Sequence, residues 1–350
     1  MRRQNVILAG LSILLLCLPL IGCAGQTPVP AGRTVTVFDK SGTRVQVPCP
    51  VEKVISVNSG MTALICALGA EDRLVGRDTR STFPASVKSV EAVAESSANA
   101  NIELMISKRP ELVVADPMFY PQHREKLSAA GIPSYVDSTS DPERVLTLIR
   151  NFGLMFDEND KAEELAQFVE HYTDIVEQRI ERLEMEDGSK PKVYFEWHSS
   201  YKTASAETSF HKPIAQAGGI NIAAGLPVHT PKVSSEWVIE QNPDVIVNRI
   251  SGDATLEQMQ QKWEEIVSRP GWDKIEAVKN GRVYIIKSDV FLAFRYPVGL
   301  LYYAKWFHPE LFEDMDPAAV HQEAIEKFFG TDEWQWLERH ETFVYPSESK

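Results

Sequence analysis

The chain has 350 residues, 43% of them hydrophobic, and carries 49 acidic against 36 basic side chains for a formal charge of −13. An acidic body of this kind repels nucleic-acid phosphates and anionic lipid surfaces, so nucleic acid is excluded as a partner, while a few arginines in a cleft still leave room for an anionic small ligand. The length exceeds what a single hydrophobic core serves and implies two packed units.

Arg2 and Arg3 followed by an apolar run over 6–20 describe an export signal, because a membrane span needs roughly 20 apolar residues. Leu20-Ile21-Gly22-Cys23 resembles the bacterial lipobox, in which cleavage before the cysteine leaves its thiol carrying a diacylglycerol and its new amine acylated. The expected organisation therefore starts with a signal peptide, residues 1–22, and a lipid-anchored tether, residues 23–33, with Cys23 as the lipidation site. That places the mature protein outside the cytoplasm, held to the membrane by lipid; cleavage without lipidation is the alternative. Cys17 leaves with the signal. Export permits a disulfide between Cys49 and Cys66, but Cys66 lies in an apolar helical pattern and reads as a small core residue, so no bridge is expected. The eight histidines are scattered, with no His-x-His or His-Glu-x-x-His pair, and no metal site is expected.

Residues 34–48 alternate apolar and polar around Asp39-Lys40-Ser41-Gly42, the pattern of a hairpin. A buried strand over 54–57 leads to a helix over 60–68 closed by Gly69. Further strands over 74–76, 111–115 and 134–136 alternate with helices from Asn101 and over 121–130, which implies a mainly parallel sheet covered on both faces. These residues, 34–156, make an N-terminal α/β lobe. From 157 to 186, Leu165, Phe168, Val169, Tyr172, Ile175, Val176, Ile180 and Leu183 mark one apolar stripe on a helix of roughly 30 residues, about 45 Å long. This connecting helix, 157–187, ends at Asp187-Gly188-Ser189-Lys190-Pro191. The alternation resumes over 188–330, a C-terminal α/β lobe, with strands over 193–196, 245–248 and 282–286 and helices near 213–217, 256–267, 299–307 and 317–329. Residues 331–350 are expected to be an irregular surface tail. The predicted fold class is α/β: two Rossmann-like lobes bridged by one long α-helix, with the ligand cleft between the lobes.

Five motifs in this order carry a resemblance. They are Thr34-Val35-Thr36-Val37-Phe38-Asp39 with Gly42 and Val47-Pro48; Ala67-Leu68-Gly69-Ala70-Glu71-Asp72-Arg73-Leu74-Val75-Gly76; Arg109-Pro110-Glu111-Leu112-Val113; Ala217-Gly218-Gly219-Ile220-Asn221; and Asn242-Pro243-Asp244-Val245-Ile246. Physically they are scaffold, prolines resetting the backbone ahead of strands and glycines ending helices. Together they resemble the class III substrate-binding proteins of ABC importers, which carry iron-siderophores, haem or cobalamin, and the likeness covers 34–330. The resemblance implies an extracytoplasmic solute-binding monomer that captures a metal chelate, foremost an iron(III)-siderophore complex, and delivers it to permease subunits and their ATPase. Haem, cobalamin and a molybdate-like oxyanion are alternatives on the same fold, and a non-transport surface lipoprotein is the alternative of another class. No cofactor is expected beyond the lipid at Cys23. Catalysis is not expected either: no Gly-x-Ser-x-Gly elbow, phosphate loop or Gly-x-Gly-x-x-Gly stands at a strand-helix junction.

Ligands of open α/β sheets bind beyond the carboxyl ends of the strands. Loops there offer Asn58, Ser59, Asp78, Met118, Phe119, Phe291 and Phe294 and, as the candidate ligand-binding set, Arg77, Arg80, Tyr120, Trp197, His198, Tyr201, Arg249, Arg295 and Tyr296. Aromatic faces suit large delocalised ligands, and arginine forks suit the carboxylates or catecholates of a metal complex. Arg295 ranks first, because a buried charge ahead of a helix needs a partner and the cleft supplies one. His198 reads either as a metal or haem ligand or as a hydrogen-bonding surface histidine. The resemblance further implies docking to the permease through one glutamate per lobe. Val233-Ser234-Ser235-Glu236-Trp237-Val238-Ile239 matches the C-lobe pattern and assigns Glu236. The N-lobe pattern expects Glu after Thr62, where this chain has Ala63; Glu71 or Asp72 are the candidate substitutes.

Overall fold

A computed structural model describes residues 33–185 and 189–347; the expected signal peptide, Cys23 and the tether up to residue 32 lie outside the described residues. Strands β1 (Thr34–Phe38) and β2 (Arg44–Pro48) pair antiparallel, and Asp39 Oδ1 closes their turn by accepting the N–H groups of Ser41 and Thr43, both at 2.9 Å.

The first sheet is built from β3 (Val54–Ser56), α1 (Ser59–Ala67), β4 (Leu74–Asp78), β5 (Ala92–Ala94), α2 (Ile102–Ser107), β6 (Leu112–Ala115), α3 (Pro121–Ala129) and β7 (Ser134–Val136). Its strands are parallel in the order β5-β4-β3-β6-β7. Every residue of β3, β6 and β7 is buried, as strands covered on both faces must be. Asn58 starts α1 by accepting the Met61 N–H at 3.0 Å.

Two antiparallel helices follow: α4 (Pro142–Phe156), which the sequence reading lacks, and α5 (Asn159–Met185). Asp141 caps α4, Pro142 opens it, and Asp157 ends it in the left-handed region at φ 59°. The 27 residues of α5 span about 40 Å. Leu165, Phe168, Val169, Val176 and Ile180 of its apolar stripe are buried.

The second sheet comprises β8 (Lys192–Trp197), α6 (His211–Gln216), β9 (Ile220–Asn221), α7 (Ser235–Gln241), β10 (Val245–Ile250), α8 (Leu256–Val267), α9 (Glu276–Lys279), β11 (Val283–Lys287), α10 (Tyr296–Phe307), α11 (Pro317–Phe329), α12 (Thr331–His340) and β12 (Val344–Tyr345). Its order is β12-β11-β10-β8-β9, parallel except for β12 on β11. Residues 331–345 therefore correct the expectation of an irregular tail. Leu337 and Val344 are buried, the Trp334 ring packs edge-on to buried His321, and β12 pairs with Ile285 and Ile286. Cys49 and Cys66 are separate buried thiols.

Besides α5, contacts at several points tie the lobes. The Ala293 N–H donates to Thr139 O at 2.7 Å. Lys212 Nζ pairs with Asp141 at 2.8 Å and Glu143 at 3.0 Å. The first-lobe segment 83–88 rests on α11 and α12 through a Phe83–Phe329 ring contact at 4.8 Å, an Ala85 N–H to Glu333 Oε1 bond at 3.1 Å and Lys88 over the Trp336 ring at 5.2 Å.

Candidate functional site

Loops at the carboxyl ends of β3, β4, β8, β10 and β11 converge on one inter-lobe gap of about 120 Å³, whose lining includes Ser59, Arg80, His198, Asp253 and Asp289. A recess of about 20 Å³ behind it is bounded by Arg80, Phe83, Asp289 and Arg295.

On the first-lobe wall, Asp78 Oδ1 accepts the Ser81 N–H at 2.7 Å and so shapes the turn that presents Arg80. Burial pushes the Asp78 carboxyl up to about 6, against the opposing hydrogen bonds from Ser81. Arg80 is exposed and forms no ion pair or hydrogen bond with the described residues. The amino end of α1 reaches the gap at Ser59, and its first turn contains no acid.

On the second-lobe wall, His198 and Tyr201 adopt positive φ, 54° and 68°. Non-glycine residues in that region are held there by their surroundings. At Tyr201 the holding group is Glu196, fully buried, which accepts the Tyr201 N–H at 2.8 Å and a two-point contact from Arg269 at 2.8 and 2.9 Å, while the His198 N–H donates to Arg249 O at 3.4 Å. Partial desolvation and then the Arg80 charge lower the pKa of His198, leaving its imidazole neutral at neutral pH. Asp289 lies over the bare Cα of Gly252, where a Cβ would collide with its carboxylate. Burial raises the Asp289 pKa although Arg295, Lys287 and Arg249 oppose it.

Two arginines stand behind this wall. Arg295 is 4% exposed, its guanidinium 4.0 Å above the Phe83 ring, and neither Nε nor Nη2 meets an acceptor among the described residues. Burial lowers its pKa to about 10, so it stays protonated at neutral pH. Arg249 is sandwiched 4.3 Å from Phe291 and 5.2 Å from Phe210; it donates Nη2 to Ser288 O at 3.2 Å and leaves Nε without an acceptor.

The candidate set thus divides. Arg80 and His198 line the gap, Arg295 its recess, and Arg249 stands one layer back. Tyr120 is exposed on the loop after β6, beside exposed Met118, and does not line the gap. The others are drawn into the scaffold. Arg77 is spent on the carbonyls of Asp78, Val87, Lys88 and Val90. Trp197 packs 4.9 Å from Phe210 beneath Lys202, Tyr201 lies against Arg269 at 4.5 Å, and buried Tyr296 bonds Gln216 at 2.6 Å. Conversely Thr82, Ser251, Asp253, Ser288 and Asp289, all gap-lining, are absent from the sequence reading. Ser251-Gly252-Asp253 and Ser288-Asp289 follow directly on β10 and β11, and a search for acids as well as cations at strand ends would have found them. Glu236 is exposed in the first turn of α7, whereas Ala63 is only 6% exposed. Among the described residues no three histidine, cysteine or carboxylate side chains converge as a metal cluster.

The pattern of the periplasmic binding protein family matches residues 54–290. An ABC transporter substrate-binding lipoprotein of Bacillus subtilis, YvrC, is 26% identical over 260 residues, 73% of this chain and 79% of that one. A vitamin B12-binding protein of Yersinia pestis is 28% identical over 224 residues, 64% of this chain and 77% of its own. Among solved structures, the molybdate periplasmic binding protein MolA of Haemophilus influenzae, bound to molybdate, superposes with a TM-score of 0.70 at 16% identity over 84% of this chain and 97% of its own.

Proposed function

The chain belongs to the periplasmic binding protein family, as a class III substrate-binding protein of an ABC importer, and from that premise we propose that it captures an anionic metal chelate, foremost an iron(III)-siderophore complex, in the inter-lobe gap. Its relatives are solute-binding proteins and not enzymes; such proteins act outside the cytoplasm beside permease and ATPase subunits. No helix among the described residues is long and apolar enough to cross a membrane. The reading extends to Cys23 as a lipid anchor, checked by the mass of the mature amino terminus, and to Glu236 as the docking carboxylate of the second lobe. Buried Ala63 offers no counterpart on the first, where Glu71 and Asp72 remain.

The carrying observation is a surplus of guanidinium. Arg295 and Arg249 are buried with three nitrogens between them that meet no acceptor among the described residues, Arg80 has no ion pair there, and Lys287 is already matched by Glu341 at 2.6 Å. An unpaired buried charge costs several kcal/mol, and an anionic group entering the gap supplies the missing partner. The gap is smaller than the roughly 300–1,000 Å³ of pockets that enclose a drug-sized ligand. A chelate would therefore insert its anionic edge and keep its bulk outside the gap. The same small volume favours a second reading, a fully enclosed oxyanion.

Calorimetric titration with ferric siderophores, haemin, cobalamins and molybdate separates these readings. Arg80→Ala is expected to weaken the bound member by about tenfold or more, about 1.4 kcal/mol. A wild-type protein that binds none of the panel, or an unchanged Kd in the variant, removes the assignment of the gap.

A further inference from the structure

The two walls of the gap carry opposite chemistry. The first lobe contributes the Arg80 guanidinium and the amino end of α1; the second contributes the carboxylates of Asp289 and Asp253. Neither carboxylate accepts a hydrogen bond or forms an ion pair with any described residue. The cations nearest Asp289 are engaged elsewhere or out of reach. Arg249 donates to Ser288 O, Lys287 pairs with Glu341, and Arg295 acts on Asp289 only through its charge. Gly252 is what lets the Asp289 carboxylate lie here, since any Cβ at that position would collide with it. For a ligand that is anionic on all sides, two acceptors on the facing wall are purely repulsive. For a ligand with a proton to give, they complete its coordination.

We propose that Asp289 selects the solute by its donor: the site takes a molecule that presents an anionic group to Arg80 and an O–H, an N–H or a metal-bound water to Asp289, and it discriminates against anions lacking such a donor. Asp253, on the same wall, is the second acceptor. The inference rests on the reading that the gap is the ligand site, and it deepens that reading from charge to hydrogen-bonding pattern. It separates near-identical solutes, because a site whose buried acceptor is left unmatched loses far more affinity than one that forgoes a methyl group.

The test uses the full chain and two matched pairs at neutral pH: hydrogen phosphate against sulfate, isosteric tetrahedra of which only the first carries a proton, and aquocobalamin against cyanocobalamin, which differ in the metal-bound water. In any pair that binds, the donor-bearing member is expected to bind at least about tenfold more tightly. Asp289→Asn should narrow that ratio to within about threefold, losing affinity for the donor-bearing member and gaining it for the other. For any other chelate of the panel that binds, the same substitution should change Kd by about tenfold. A wild type indifferent to the donor, or a folded Asp289→Asn protein with wild-type Kd values, overturns the inference while leaving the gap as the binding site. A wild type that binds neither the panel nor the pairs overturns the gap itself. Should Asp289→Asn not fold, the wild-type ratios alone decide.

Discussion

Arg269 and Arg295 are both almost solvent-free, yet they illustrate opposite uses of one side chain. Arg269 is matched in two-point fashion by Glu196 and held also by Glu265 at 2.8 Å, so it belongs to the scaffold that fixes the His198–Tyr201 turn. Arg295 has aromatic faces around it and no acceptor among the described residues. Replacing an unmatched buried charge by an apolar side chain of similar length relieves desolvation. Arg295→Met is accordingly expected to melt no lower than the wild type while binding the chelate about tenfold more weakly or worse; a large drop in thermal midpoint would make Arg295 a structural residue. Asp78 provides a pH signature. Its folded pKa of about 6 lies above the ordinary aspartate value of 3.8. Below about pH 4 the acid is protonated whether folded or not, and as pH rises through 6 the folded state alone bears the cost of ionising it, up to about 3 kcal/mol. Wild-type stability should fall over that window relative to Asp78→Asn, in which Oδ1 can still accept the Ser81 N–H; parallel pH profiles from urea unfolding would refute this.

Elements with a strong local pattern were legible in the sequence. Helix α8 coincides with the expected 256–267 because a full capping box, Thr255 with Gln258, sets its start, and the hairpin turn is written in the Asp39 side chain. Helix α4 went unread although its signs are in the sequence: Asp141 and Pro142 open it, and Val145, Leu148, Ile149, Phe152, Met155 and Phe156 recur at helical spacing on its buried face. The lining of the candidate gap was legible for its cations and not for its acids. Positive charges and rings at strand ends led to Arg80, His198 and Arg295, but also to Arg77, Trp197, Tyr201 and Tyr296, whose partners come from segments distant in sequence or from turns that composition does not reveal. The first turn of α1 shows how tightly elements from the two lobes approach: a Cβ on Gly60 would lie 2.9 Å from Leu292 Cβ and 3.0 Å from Thr139 Cβ. Gly60→Ala should therefore push the lobes apart at this point and weaken ligand binding, even though alanine is the better helix former by about 1 kcal/mol. A Gly60→Ala protein with wild-type Kd would mean that this contact yields without disturbing the gap.

At the scale of the whole molecule, the lobes are braced along more than one line. Helix α5 joins them covalently, Lys212 crosses to Asp141 and Glu143, and the first-lobe segment 83–88 leans on α11 and α12. A wide hinge motion would have to break all of these at once, so a solute taken up in the proposed site would meet a gap largely formed in advance, with little ordering cost on binding.

The short strand β12 has a consequence of its own. By laying Val344 and Tyr345 against Ile286 and Ile285, it blunts the open border of the second sheet, where bare amide and carbonyl rows invite another chain to add on. A chain truncated after residue 342 would uncover those rows along β11 and should self-associate as its concentration rises, detectable by light scattering under conditions where the intact chain stays dispersed.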